Sequence, residues 1–234
     1  MFKKILKKIF KLFFEVYEER YQIHKKNFKL KDPISFLNDF YSEKTSKFIQ
    51  SNISQAMIFS DRKSVLKYAA DKCNEKFQND GGLNLEFGVY NGKSINFISK
   101  FLDKVYGFDW FKQGLEEDWT GTWRSKGSTH ILKNKPDVNE NVELVEGDIR
   151  ETLHRFNDKK INFIHIDTDT YSICKFILSN TKQNLKSGGI IVFDEFFGYV
   201  NYEEHKFKAL YEVYKPSEFK FIAFSNKQAA IQII

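Results

Sequence analysis

Residues 83–102 read LNLEFGVYNGKSINFISKFL. An apolar run ends at a carboxylate, Glu86, and a glycine, Gly88; a second glycine, Gly92, follows four residues later, and a helical pattern begins. This is the junction of a buried strand with a helix. In an open parallel sheet, ligands bind beyond the carboxyl ends of the strands. Glycine there lets a ligand approach the backbone and permits φ/ψ values closed to other residues. The helix opened by Gly92, Lys93 and Ser94 offers first-turn N–H groups that suit a carboxylate. The spacing is E-x-G-x-x-x-G and not G-x-G-x-x-G, so a dinucleotide fingerprint fails. A carboxylate beside the first glycine repels a phosphate and favours a cationic amino-acid ligand.

The same alternation runs to the end of the chain. KVYGFD, VELVEGD, INFIHIDTD and GGIIVFDE read as strands, with IRETLHRF, SICKFILSNTKQNL and YEEHKFKALYEVY as helices among them. FKFIAFS and QAAIQII close the chain as two strands joined by a short Asn-Lys turn. This order predicts an α/β domain over residues 81–234: a doubly wound, mostly parallel sheet of seven strands with helices on both faces. The last two strands form an antiparallel hairpin at its edge. Residues 1–80 read as a helical N-terminal extension that stops at the breaker cluster NDGG. Within it, SDRKSVLKYAADKCNEKF has a cap at Ser60 or Asp61 and Val65, Leu66, Ala69 and Cys73 at helical spacing. A polar loop with Trp110, Trp119 and Trp123 in or near it, running to about residue 140, has the length of a lid.

At 234 residues and 41% hydrophobic, the chain can bury one substantial core. Its mean hydropathy is −0.49, and no apolar run is long enough to cross a bilayer. Cys73 and Cys174 lie far apart in no metal or redox motif, which fits a reduced cytoplasmic setting. Ten of the 37 Lys and Arg lie in residues 1–32 against four acids, giving +6; the 27 other cations are balanced by 27 acids. The basic character thus belongs to the arm. A neutral body argues against a nucleic-acid groove.

The arm begins MFKKILKKIFKLFF. On a helical wheel Phe2, Ile5, Leu6, Ile9, Phe10, Leu12 and Phe13 share one side, and Lys3, Lys4, Lys7, Lys8 and Lys11 the other, with Phe14 straying toward them. Such a helix lies on an anionic membrane surface or packs on its own domain or a partner subunit. The lysines interrupt any signal-peptide core. The apolar surface of the extension leads us to expect a homodimer. Membrane binding through residues 1–14 would place the protein at the inner face of the membrane.

The segment EFGVYNG resembles the cofactor loop of class I methyltransferases that use S-adenosylmethionine, and the Rossmann-like order ending in a hairpin is also theirs. The resemblance covers about residues 80–234. It implies that Gly88 and Gly92 line the methionine portion, with Phe87, Tyr90 and Ser94 in the same loop and Glu86 at the amino end. Asp109, which ends YGFD and precedes Trp110, falls where the family grips both ribose hydroxyls, a geometry one carboxylate can satisfy. Asp148, which ends VEGD and precedes Ile149, falls where the family contacts adenine.

Two further strands end in acids: FIHIDTDTY gives Asp167 and Asp169, and IIVFDEFF gives Asp194 and Glu195. In a parallel sheet Asp167 and Asp194 project at the ligand edge. Converging carboxylates repel unless one is protonated or a cation joins them. Mg²⁺ takes carboxylate oxygens and keeps open positions, whereas no His or Cys cluster suggests zinc. GFDWFKQGLEEDW, HIDTDTYS and SGGIIVFDEFFGY followed by EEHKFKA resemble the macrocin O-methyltransferase-like sugar methyltransferases. That resemblance implies Mg²⁺ held by Asp167, Asp194 and Glu195, with the acceptor hydroxyl acidified by the metal. Asp167, beside the cofactor, or His165 would remove its proton. Glu195 departs from the pattern, standing where a second Asp is expected.

Plainer roles stand beside these. His165, inside an apolar strand, can be a satisfied core residue, and Asp169 can cap the following helix. His205 lies on a helix surface or lines the acceptor pocket. Trp119 covers the cofactor, stacks on a sugar or pins the loop. The expected acceptor is a sugar hydroxyl of a glycan, nucleotide-sugar or glycosylated metabolite. Two rivals remain, a methyltransferase of a non-sugar small molecule or of nucleic acid or protein, and a non-catalytic binding module. The sequence DTDTY lacks the prolines typical of amino-methylating nucleic-acid enzymes, and an idle module has no need of carboxylates at two strand ends.

Overall fold

The computed structural model of the chain describes residues 7, 10–20, 32–115, 117, 119 and 124–234. Phe2, Ile5, Leu6 and Ile9 of the arm, and Trp123, lie outside them. The chain divides into two compact units, Met1–Phe40 and Tyr41–Ile234. In the first, residues 10–20 are helical (α1). A second helix, α2 (Pro33–Asn52), crosses the boundary; its start is capped by Asp32, whose Oδ1 accepts the Ser35 N–H at 2.9 Å, with proline at the first helical position. No helix among the described residues is long and apolar enough to cross a membrane.

The second unit is a sheet of eight strands with helices on both faces. Its strands are β1 (Met57–Ile58), β2 (Leu83–Phe87), β3 (Val105–Asp109), β4 (Val142–Glu146), β5 (Ile161–Ile166), β6 (Leu185–Phe193), β7 (Phe219–Phe224) and β8 (Ala229–Ile233). They lie in the order β1-β7-β8-β6-β5-β2-β3-β4. β2 to β6 run parallel to one another, and β8 pairs antiparallel with β6 and β7. The expected seven strands and closing hairpin are present. The eighth, β1, pairs in parallel with β7. Two residues between helices carry no alternation from which to read a strand.

Every residue of β2 and β5 is buried, as a parallel strand covered on both faces must be. β6 shows how the faces divide: Ile191 and Phe193 join one core, Ile190 and Val192 the other. α3 (Arg62–Phe77) belongs to the second core through Val65, Leu66, Ala69, Ala70 and Cys73. Its cap is Asp61, whose Oδ1 accepts the Ser64 N–H at 3.0 Å. α4 (Lys93–Ile98), α5 (Ile149–Thr152), α6 (Tyr171–Thr181) and α7 (Lys206–Val213) complete the helices. α7 is shorter than its sequence pattern, because His205 at φ −115°, ψ −129° separates it from a 3₁₀ turn at Tyr202–Glu204.

The chain steps outward from β2 to β3 and β4, then returns to the other side of β2 with β5. That reversal opens a crevice at the carboxyl ends of β2 and β5. The two ends are tied together where the Asp167 N–H donates to the Phe87 carbonyl at 2.8 Å. The Asp194 N–H donates to the Ile166 carbonyl at 3.0 Å, which brings the end of β6 alongside.

Candidate active site

A cavity of about 380 Å³ lies over this crevice, and the strand-end residues Gly88, Asp109, Asp148, Asp167, Asp194 and Glu195 all line it. Five successive strands therefore deliver carboxylates or a glycine to one rim. Tyr90, Ser94, Trp110 and Ile149 line it too.

Gly88 makes the tightest approach. Its φ is +87°, and a Cβ there would lie 2.4 Å from the Asp167 carbonyl oxygen. Any other residue clashes with the backbone after β5, so a bulky substitution here tests folding before it tests ligand binding. Gly88→Ala is expected to cost about 2–5 kcal/mol, summing left-handed strain and overpacking. Thermal unfolding checks this against Gly81→Ala, which shares the positive φ (+75°) but has open space around its Cβ. Gly81→Ala should lose far less. Equal losses would mean that the clash at Gly88 relaxes freely.

The turn after Gly88 winds around Asp109. The Asp109 Oδ2 accepts the N–H groups of Val89 at 2.8 Å and Tyr90 at 2.6 Å, and Tyr90 is held at φ +45°. Burial pushes the Asp109 carboxyl above the usual range despite these donors. Asp148 caps α5 through the Arg150 N–H at 2.9 Å and pairs with the Arg150 guanidinium, which holds its carboxyl below the usual range.

Glu86, Phe87, Gly92 and His165 do not line the cavity. The Phe87 ring is in the core, stacked on Phe108 with centroids 4.8 Å apart. Gly92 is the left-handed residue before α4, φ +80°. Glu86 and His165 are both fully buried and lie opposite each other in the β2–β5 register. The Glu86 Oε2 meets His165 Nδ1 at 3.0 Å, and its Oε1 accepts from Ser94 Oγ at 2.8 Å. These contacts give both side chains a structural task away from the cavity. Glu86 anchors the start of α4 to the sheet through Ser94, and His165 holds Glu86.

Asp167 and Asp194 meet, and the cation between them is Arg62. Its Nη2 donates to Asp167 Oδ2 at 2.5 Å, and its Nε lies 3.4 Å from Asp194 Oδ1, which also accepts from Gln228 Nε2 at 2.5 Å. Burial and the neighbouring Asp194 raise the Asp167 carboxyl well above the usual range. Burial would raise Asp194 as well, but the Arg62 charge and the bond with Asp167 hold it below. The expected Mg²⁺ set of Asp167, Asp194 and Glu195 does not fit this arrangement. Among the described residues no group of three or more His, Cys, Asp or Glu is placed to hold a metal ion, and the Arg62 guanidinium already lies against both aspartates. Glu195 faces the cavity at φ +47°, a strained value for a side-chain-bearing residue.

The loop after β3 supplies further wall residues, among them Arg124 and His130. The His130 ring stands edge-on to Tyr90 at 5.0 Å, and its Nδ1 lies 3.3 Å from Asp169 Oδ2. Asp169 therefore meets the loop and does not cap α6, whose cap position is Thr170. Trp119 is buried, with the Arg124 guanidinium 4.7 Å above its ring and His205 edge-on at 5.9 Å. It pins the loop and lines a separate pocket of about 220 Å³ together with His205, which is buried and not on a helix surface. Arg62, Arg124 and His130 carry no local motif. Only the need for a cation between Asp167 and Asp194 pointed toward a residue such as Arg62.

Residues 85–196, a little under half of the chain, match the family model described as a methyltransferase domain. The match runs from β2 to just past Glu195. No curated protein matches the chain in sequence. Among solved structures, it is similar to that of CalS11, described as a calicheamicin methyltransferase, with a TM-score of 0.59 and 18% identity over 88% of this chain and 95% of that one. The apo structure of CalS11, described as TDP-rhamnose 3′-O-methyltransferase, matches with a TM-score of 0.52 and 18% identity over 88% and 97%. The O-methyltransferase NovP matches with a TM-score of 0.52 and 14% identity over 74% and 79%. At these identities the likeness is one of fold.

Proposed function

We propose, with the methyltransferase domain at residues 85–196 as the premise, that the protein uses S-adenosylmethionine to methylate a hydroxyl of a small sugar-containing acceptor. The observation that carries this reading is the division of acids at one rim. Asp109 and Asp148 stand on the β3–β4 side of the crevice; Asp167 and Asp194 stand on the β5–β6 side with their own cation. One side suits a nucleoside and the other a hydroxyl that must lose a proton. The glycine at the β2 end leaves the floor between them bare of side chain. The description of CalS11 as a TDP-rhamnose 3′-O-methyltransferase supports a sugar as the acceptor class.

Asp109 would hold the two ribose hydroxyls, and Asp148 with Ile149 would border the base. Bound there, the cofactor supplies a methyl group on a sulfonium. Asp167 accepts the proton of the acceptor hydroxyl at a carboxylate oxygen. Its raised affinity for protons suits that task, since a base works best with a pKa near the operating pH. Arg62 keeps the two aspartates together and fixes the Asp167 carboxylate in place.

The test is mass spectrometry of nucleotide-sugars and simple glycosides after incubation with S-adenosylmethionine, in Mg²⁺ and in EDTA. One methyl should be gained on a sugar hydroxyl, with EDTA leaving the rate unchanged. A methyl gained only on sugar-free acceptors would overturn the acceptor class. Transfer that stops in EDTA and returns with Mg²⁺ would overturn the role given to Arg62.

A further inference from the structure

We propose that residues 1–20 form a membrane-surface anchor that docks the enzyme on an anionic lipid bilayer. In α1 the side chains of Phe10, Leu12, Phe13, Val16 and Tyr17 fall within an arc of about 160° at 100° per residue, with Phe14 outside it. All five are at least half exposed, from 50% for Val16 to 68% for Phe13. A soluble chain rarely leaves a continuous apolar stripe of this kind to water. The sequence extends it: Phe2, Ile5, Leu6 and Ile9 continue the apolar side, with Lys3, Lys4, Lys7, Lys8 and Lys11 opposite.

Charge selects the occupant. Residues 1–14 carry five lysines and no acid, before Glu15, Glu18 and Glu19. A face meant for another protein surface has no need of five lysines without a single acid along its polar side. Two arms packed on each other would also bring like charges together. An anionic bilayer accepts both features at once, the aromatic stripe at the acyl boundary and the lysines among the headgroups. No helix among the described residues is long and apolar enough to span a bilayer.

The full chain is tested by flotation with vesicles of phosphatidylcholine alone and of phosphatidylcholine with phosphatidylglycerol. Two variants accompany it, Phe10→Ser with Phe13→Ser, and Lys7→Gln with Lys8→Gln and Lys11→Gln. Circular dichroism and S-adenosylhomocysteine binding confirm that the body is intact, since neither variant touches the cavity. The wild type should float with the anionic vesicles only and be released by high salt. At about 1 kcal/mol per lysine near an anionic surface, the triple lysine variant should partition ~100-fold more weakly. The phenylalanine variant should not float. Failure of the wild type to bind anionic vesicles overturns the proposal. So does equal binding by both variants, or a dimer in solution that the phenylalanine variant splits, which would assign the stripe to a second copy of the chain.

Discussion

Asp109→Ala is expected to weaken S-adenosylhomocysteine binding by about 100-fold or more while the protein stays folded. The carboxylate would accept two ribose hydroxyls, and hydrogen bonds to a charged group contribute about 1.5–3 kcal/mol each. With roughly 1.4 kcal/mol per decade of affinity, two such bonds give two decades or more. A second effect adds to it. Asp109 Oδ2 also organises the Val89–Tyr90 turn through two backbone N–H groups, so its removal loosens the cavity wall itself. Asp109→Asn separates the two, because its carbonyl can still accept the backbone donors. It should lose less than Asp109→Ala. Calorimetric titration decides this, and a dissociation constant within three-fold of wild type for Asp109→Ala would remove the nucleoside from this side of the crevice.

Asp167→Asn is expected to lower kcat about 10²–10⁴-fold, the range for loss of a positioned general base, with cofactor affinity little changed. The amide keeps the size of the side chain but cannot take a proton. The pH profile gives an independent check. The base must be deprotonated, so kcat should fall as pH drops through the elevated pKa of Asp167, which burial and Asp194 set. Asp194→Asn removes a neighbouring negative charge and leaves Arg62 wholly to Asp167. Both changes lower the Asp167 pKa, so the acid limb should move to lower pH. An unmoved limb would mean that another group takes the proton.

What was legible in the sequence was the period and the punctuation. Apolar runs closed by Gly88, Asp109, Asp148, Asp167 and Asp194 announced parallel strands, and a parallel sheet puts all their ends at one edge. The contacts between distant segments were not legible. Glu86 looked like a ligand-facing acid because it ends an apolar run. Yet Leu83, Leu85 and Phe87 claim one face of β2, and Glu86 falls on the other, where His165 lies opposite it in the next strand. A signal was present: Glu86 stands two residues before Gly88, and His165 two before Asp167, so in-register parallel strands pair them. Arg62 had no such signal. It opens a helix more than a hundred residues from Asp167, and nothing beside it in sequence shows which carboxylates it joins. Trp119 is similar, since its partner His205 becomes buried only where the chain breaks before α7.

The division of the rim into a nucleoside side and a proton-accepting side is tested most directly by calorimetric titration of S-adenosylhomocysteine into wild type, Asp109→Ala and Asp167→Asn, each in EDTA. The expected result is one molecule bound per wild-type chain without any divalent ion, near-equal affinity in Asp167→Asn and binding about 100-fold weaker or more in Asp109→Ala. No binding to the wild type, or loss in Asp167→Asn with retention in Asp109→Ala, would contradict it.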